Sequence, residues 1–66
     1  MTYTCEFFGR RVGAEGVFYD IVHVLDAEKD ATFDEIRIKL YEYYEHIMRL
    51  TVNGKNEEDW YANHGN

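Results

Sequence analysis

Sixty-six residues suffice for one small domain and one core. Hydrophobic residues make up 45% and charged residues 30%, a globular balance rather than a disordered one. Thirteen acids against seven bases leave a formal charge of −6. The single cysteine excludes an internal disulfide and any multi-cysteine metal site. No apolar run approaches the roughly 18 residues of a membrane span, and no signal-peptide pattern opens the chain.

A chain this short buries only about 60% of its unfolded surface. Aromatic side chains are the expected compensation, since one Trp, six Tyr and four Phe are present. Not all of them fit inside, and surface tyrosines suit partner contacts. The acidity is uneven. Residues 1–19 are neutral, residues 20–45 carry −5 and residues 46–66 carry −1. The middle of the chain repels phosphate and attracts a basic surface, so direct nucleic-acid binding is disfavoured.

Residues 2–8 alternate, with Tyr3, Cys5 and Phe7 on one face of a half-buried strand. Gly9, Gly13 and Gly16 follow, with Arg10 and Arg11 among them, and the pattern predicts a hairpin loop centred on residues 11–16. Residues 17–25 are rich in β-branched and aromatic types. Phe18, Val22 and Val24 share a side with Asp20, and Val17, Tyr19, Ile21 and Leu25 share the other with His23. Two apolar sides predict a central strand.

Thr32 and Glu35 form a capping box, with Asp34 and Glu35 at the positive end of the helix dipole. Asp26 and Asp30 offer earlier caps. The helix is predicted to run to about Glu45, with Phe33, Ile36, Leu40, Tyr43 or Tyr44, and Ile47 as its core stripe. Residues 46–52 read either as a further helical turn or as a strand in which Met48, Leu50 and Val52 alternate. The strand is preferred, ending at the Asn53-Gly54 turn. The expected architecture is α+β: a three-stranded, mostly antiparallel sheet in β-β-α-β order with one helix packed on one face. Residues 1–55 form the domain. Residues 56–66 form a tail with one helical turn through Glu57, Glu58 and Asp59, Trp60 packing back, and a loose end over residues 63–66.

Catalytic constellations are thin. Glu42 and His46 sit four apart, with His23 and His64 elsewhere, which falls short of the three ligands that catalytic zinc needs. The chain has no serine, and Cys5 with His23 across the hairpin lacks an orienting group and a cleft. No enzymatic activity, cofactor or metal is expected. Arg10 and Arg11 form a candidate phosphate-binding tip, and with Phe7, Phe8, Phe18 and Tyr19 they define the alternative reading of a small nucleic-acid or nucleotide binder. On the helix, Asp34, Ile38, Tyr41 and Glu45 recur at three- and four-residue steps away from the core stripe. Asp26, Glu28, Asp30, Asp34 and Glu35 gather five acids within ten residues. These carboxylates, with Ile38, Tyr41, Glu45 and Trp60 as partner-binding residues, predict a module that docks on a basic surface.

In size, acidity, aromatic content and element order over residues 2–53, the chain resembles small phage-encoded proteins that act on host machinery. These include anti-CRISPR proteins and phage inhibitors of host RNA polymerase. The resemblance implies an inhibitor without enzymatic activity that binds a larger host or defence protein, and it carries no residue roles. A reducing, cytoplasmic setting is expected, and a homo-oligomer stays open.

Overall fold

The computed structural model describes residues 1–64. Five elements follow in order: β1 (Thr2–Arg11), β2 (Tyr19–Asp26), α1 (Phe33–Leu40), β3 (Tyr44–Val52) and α2 (Glu57–His64). The strands form one antiparallel sheet in the order β2-β1-β3. The fold is α+β, as expected, and residues 46–52 belong to a strand.

The alternation in β1 does what a period-2 pattern should. Tyr3, Cys5 and Phe7 are buried on one face while Thr2, Thr4 and Glu6 stay exposed. Ile21 from β2 and Tyr44, Leu50 and Val52 from β3 join them. Phe33, Ile36 and Leu40 of α1 and Trp60 of α2 close the core from above. Among the described residues nothing layers over the opposite face of the sheet, which presents Val22, Val24 and Met48 to solvent.

Three expectations need correction. The strand expected at the centre, β2, is an edge, and β1 is central. Apolar residues on both sides of β2 do not mean burial on both, because Val22 and Val24 lie on the uncovered face while Ile21 faces the core. The helix ends at Leu40 with Tyr41 as its cap, not near Glu45. The amides of Tyr41, Glu42 and Tyr43 donate to the carbonyls of Arg37, Lys39 and Leu40 respectively, closing the last turn. Tyr44 then pairs with Arg11 and lays its ring against Phe7 at 5.0 Å. The tail forms two helical turns rather than one. Asn56 caps α2 by accepting from the Asp59 amide at 2.8 Å. The end expected to be loose continues α2 through residues 63–64, and residues 65–66 lie outside those described.

The capping box forms as predicted. The Glu35 amide donates to Thr32 Oγ1 at 3.1 Å, and the Thr32 amide donates to Glu35 Oε1 at 2.8 Å. Asn53 and Gly54 take positive φ at the predicted turn, and Asn53 Oδ1 accepts from the Thr4 amide at 2.9 Å. β3 is bulged twice. Arg49 and Leu50 oppose Phe7, and His46 and Ile47 oppose Gly9, with His46 and Arg49 in the left-handed region at φ 57° and 56°.

Candidate docking groove

The loop between β2 and α1 is held by the core. Tyr3, buried beneath it, donates its hydroxyl hydrogen to the carbonyls of Glu28 at 2.8 Å and Lys29 at 3.1 Å. That fixes Glu28 and Asp30 beside the outer face of α1. There the helix presents Glu35 and Ile38, and Glu42 follows in the turn beyond its cap. Together they line a groove of about 450 Å³ with Lys39 as its single cation. Ile38 is 65% exposed in its middle. Among the described residues, Glu28, Asp30 and Glu42 make no ion pair, while Glu35 is engaged at the helix cap. An apolar side chain ringed by free carboxylates suits a ligand that brings a methylene or apolar stem together with a positive head.

The predicted partner residues divide between this groove and other places. Glu28, Asp30, Glu35 and Ile38 meet in it. Tyr41 is 45% exposed as the cap of α1 and lies outside the groove lining. Asp26 borders an adjoining hollow and sits 3.3 Å from the amino group of Met1. Asp34 pairs with Arg37, which also reaches Glu57 at 3.0 Å and so ties α1 to α2. Glu45 is not on a helix. It lies in β3 and accepts from Arg10 Nε at 3.2 Å. Trp60 is only 5% exposed and packs on Tyr3 and Phe33, so it is a core residue and offers no anchor to a partner at the surface.

Glu42 was legible as part of the groove. It stands four residues after Ile38 and seven after Glu35, the spacing of one helical face, and it continues that face past the cap.

The arginine-rich hairpin is largely engaged with its own chain. Arg10 pairs with Glu45 and lies over the Phe18 ring at 5.3 Å. Phe18 also faces Phe8 at 6.0 Å and His46 at 5.6 Å. Arg11 lies over Tyr44 at 5.9 Å. Arg10, Phe8 and Phe18 are therefore already joined through the Phe18 ring and Phe7 is buried in the core, while Tyr19 stays 42% exposed.

Cys5 and His23 are register partners, but His23 Nδ1 hydrogen-bonds the Tyr44 hydroxyl at 2.9 Å. Cys5 is fully buried, and burial pushes its thiol from 9.0 to about 11, away from nucleophilic thiolate. Among the described residues, no three His, Cys, Asp or Glu side chains gather to hold a metal, and the His64 side chain lies outside what is described. No described helix is long and apolar enough to cross a membrane. Comparison with family models, curated proteins and solved structures finds no match.

Proposed function

We propose that this chain is a small protein-binding module whose acidic groove docks on a basic surface of a larger protein. One observation carries this reading: Glu28, Asp30, Glu35 and Glu42 surround the exposed Ile38 with only Lys39 to offset them. Four carboxylates attract a cationic segment over distance, and Ile38 supplies the apolar contact once it arrives. A surface that normally holds nucleic acid has the required charge, because carboxylates spaced along a groove stand in electrostatically for phosphates. Covering such a surface inhibits the protein that owns it. A reducing, cytoplasmic setting agrees with the free, buried Cys5.

The test is an NMR titration with a short peptide that alternates arginine and leucine, run beside the same peptide carrying neutral citrulline. Saturable amide shifts within residues 27–42 are expected for the arginine peptide alone. Glu28→Lys, Asp30→Lys and Glu42→Lys combined should weaken it by about tenfold or more, as should Ile38→Glu. Equal binding of the citrulline peptide, or shifts confined to the hairpin, overturns the reading.

A further inference from the structure

On the other side of the β2–α1 loop lies a second hollow, of about 380 Å³, within the size range of small-molecule sites. Its charge runs against that of the whole chain. Of the charged side chains lining it, Lys29 and Lys55 oppose Asp30. Neither lysine makes an ion pair among the described residues, whereas Arg10 and Arg37 are both engaged. In a protein of net charge −6, two ammonium groups against Asp30 leave this hollow with a net positive lining.

The hollow is also built on fixed backbone. Lys29 is placed by the hydrogen bond from the Tyr3 hydroxyl to its carbonyl. Lys55 is placed by paired backbone bonds with Val52, at 2.8 and 3.0 Å, across the Asn53-Gly54 turn. The floor is aromatic. Trp60 is set at 5.9 Å from Tyr3 and 6.0 Å from Phe33, and Tyr61 beside it remains 40% exposed. Lysines on fixed backbone beside an exposed aromatic ring suit a ligand with a flat face and a negative charge.

We propose that this hollow binds a small organic anion bearing a planar ring, with the ring against Tyr61 and the anionic group at Lys29 and Lys55. The site shares Asp30 and Ala31 with the acidic groove, but Lys29, Lys55 and Tyr61 are its own, and it does not rest on the docking reading. A phosphate or a carboxylate satisfies the same chemistry, so the test separates them.

Trp60 is the only tryptophan and lines this hollow, so its indole N–H resonance gives a single signal to follow. The experiment titrates the full chain with AMP and, separately, with benzoate, using adenosine and benzamide as uncharged counterparts. Saturable movement of the indole resonance at millimolar anion is expected, with the uncharged compounds at least about tenfold weaker. Saturation by AMP and not benzoate assigns a phosphate, and the reverse assigns a carboxylate. Lys29→Gln and Lys55→Gln together should weaken the responding anion by about tenfold or more, and Lys29→Gln alone by less. Glu28→Lys with Glu42→Lys should leave the indole response in place while weakening peptide binding, so the two sites fail independently. No saturable response to either anion overturns the proposal, as does equal response to the uncharged compounds or an undiminished response in a folded Lys29→Gln/Lys55→Gln variant.

Discussion

Two positions on β1 show how local environment sets behaviour. Cys5 is enclosed by the core, and desolvation raises its thiol to about 11 from 9.0. Two pKa units mean about a hundredfold less thiolate than an ordinary cysteine holds at the same pH. Labelling with a thiol reagent at pH 8 should therefore be at least that much slower in the folded chain than in urea. The stability consequence has a definite sign. A group whose pKa is raised by folding contributes fully below its unfolded pKa and loses that contribution as pH climbs through the folded one. Urea midpoints should fall between pH 9 and 11 more steeply for the natural chain than for Cys5→Val, which cannot ionise. Gly9 is set by a different force. A Cβ there would lie 3.1 Å from the Glu45 carbonyl oxygen and 3.4 Å from that of His46, both backbone atoms of the bulged strand. Gly9→Ala should cost about 1–3 kcal/mol in urea denaturation, since β3 must shift to admit the methyl group. An unchanged midpoint would mean that β3 does not approach β1 this closely.

Among the elements, β3 explains why its own sequence is ambiguous. Each bulge inserts one residue, so the core-facing residues Tyr44, Ile47 and Leu50 fall three apart, a helical spacing inside a strand. Of the stripe over Phe33, Ile36, Leu40, Tyr43 or Tyr44, and Ile47, all but the exposed Tyr43 face the core, but periodicity alone could not divide it between α1 and β3. By contrast, the capping box, the Asn53-Gly54 turn and the face of β1 were legible, because each depends on neighbours in sequence. The central position of β1 depends on where β3 returns, which no local pattern encodes, whereas Trp60 packs back on the core as expected and is for that reason no partner anchor. The groove was half legible. Glu28, Asp30, Glu35 and Ile38 are adjacent along the chain, while Glu45 left the helix face once Tyr44 entered the sheet. The bulges also make a prediction. Arg49 holds φ at 56°, where a residue with a Cβ is strained by about 1–2 kcal/mol. Arg49→Gly should raise the stability of the chain by about 1 kcal/mol, read from the urea midpoint, whereas a loss would show that the arginine side chain secures β3. At the other end, α2 is held by Trp60 inside the core and by the Arg37–Glu57 pair outside it. Trp60→Ala should cost about 3–5 kcal/mol, while Glu57→Gln should cost at most about 1, because that pair is solvent-exposed. Equal losses from both would place the main attachment of α2 in the ion pair.

At the scale of the molecule, the loop over residues 27–32 separates two surfaces of opposite character, with Asp30 at the boundary of both. The acidic groove joins long-range attraction from its carboxylates to short-range contact at Ile38, and the two should act on different steps of binding. Attraction between exposed charges is screened over about 10 Å at 0.1 M salt and about 3 Å at 1 M. Raising salt across that range should slow association of the arginine-leucine peptide by about tenfold or more while changing its dissociation rate little. Ile38→Ala should do the reverse, speeding dissociation several-fold and leaving the salt dependence of association intact. Stopped-flow measurement of both rates for the natural chain and for Ile38→Ala, at each salt concentration, separates these contributions. An association rate indifferent to salt would remove the carboxylates from the encounter. A salt dependence that flattens in Ile38→Ala would mean that the apolar contact is already made when the charges first act, and that attraction and anchoring are one event.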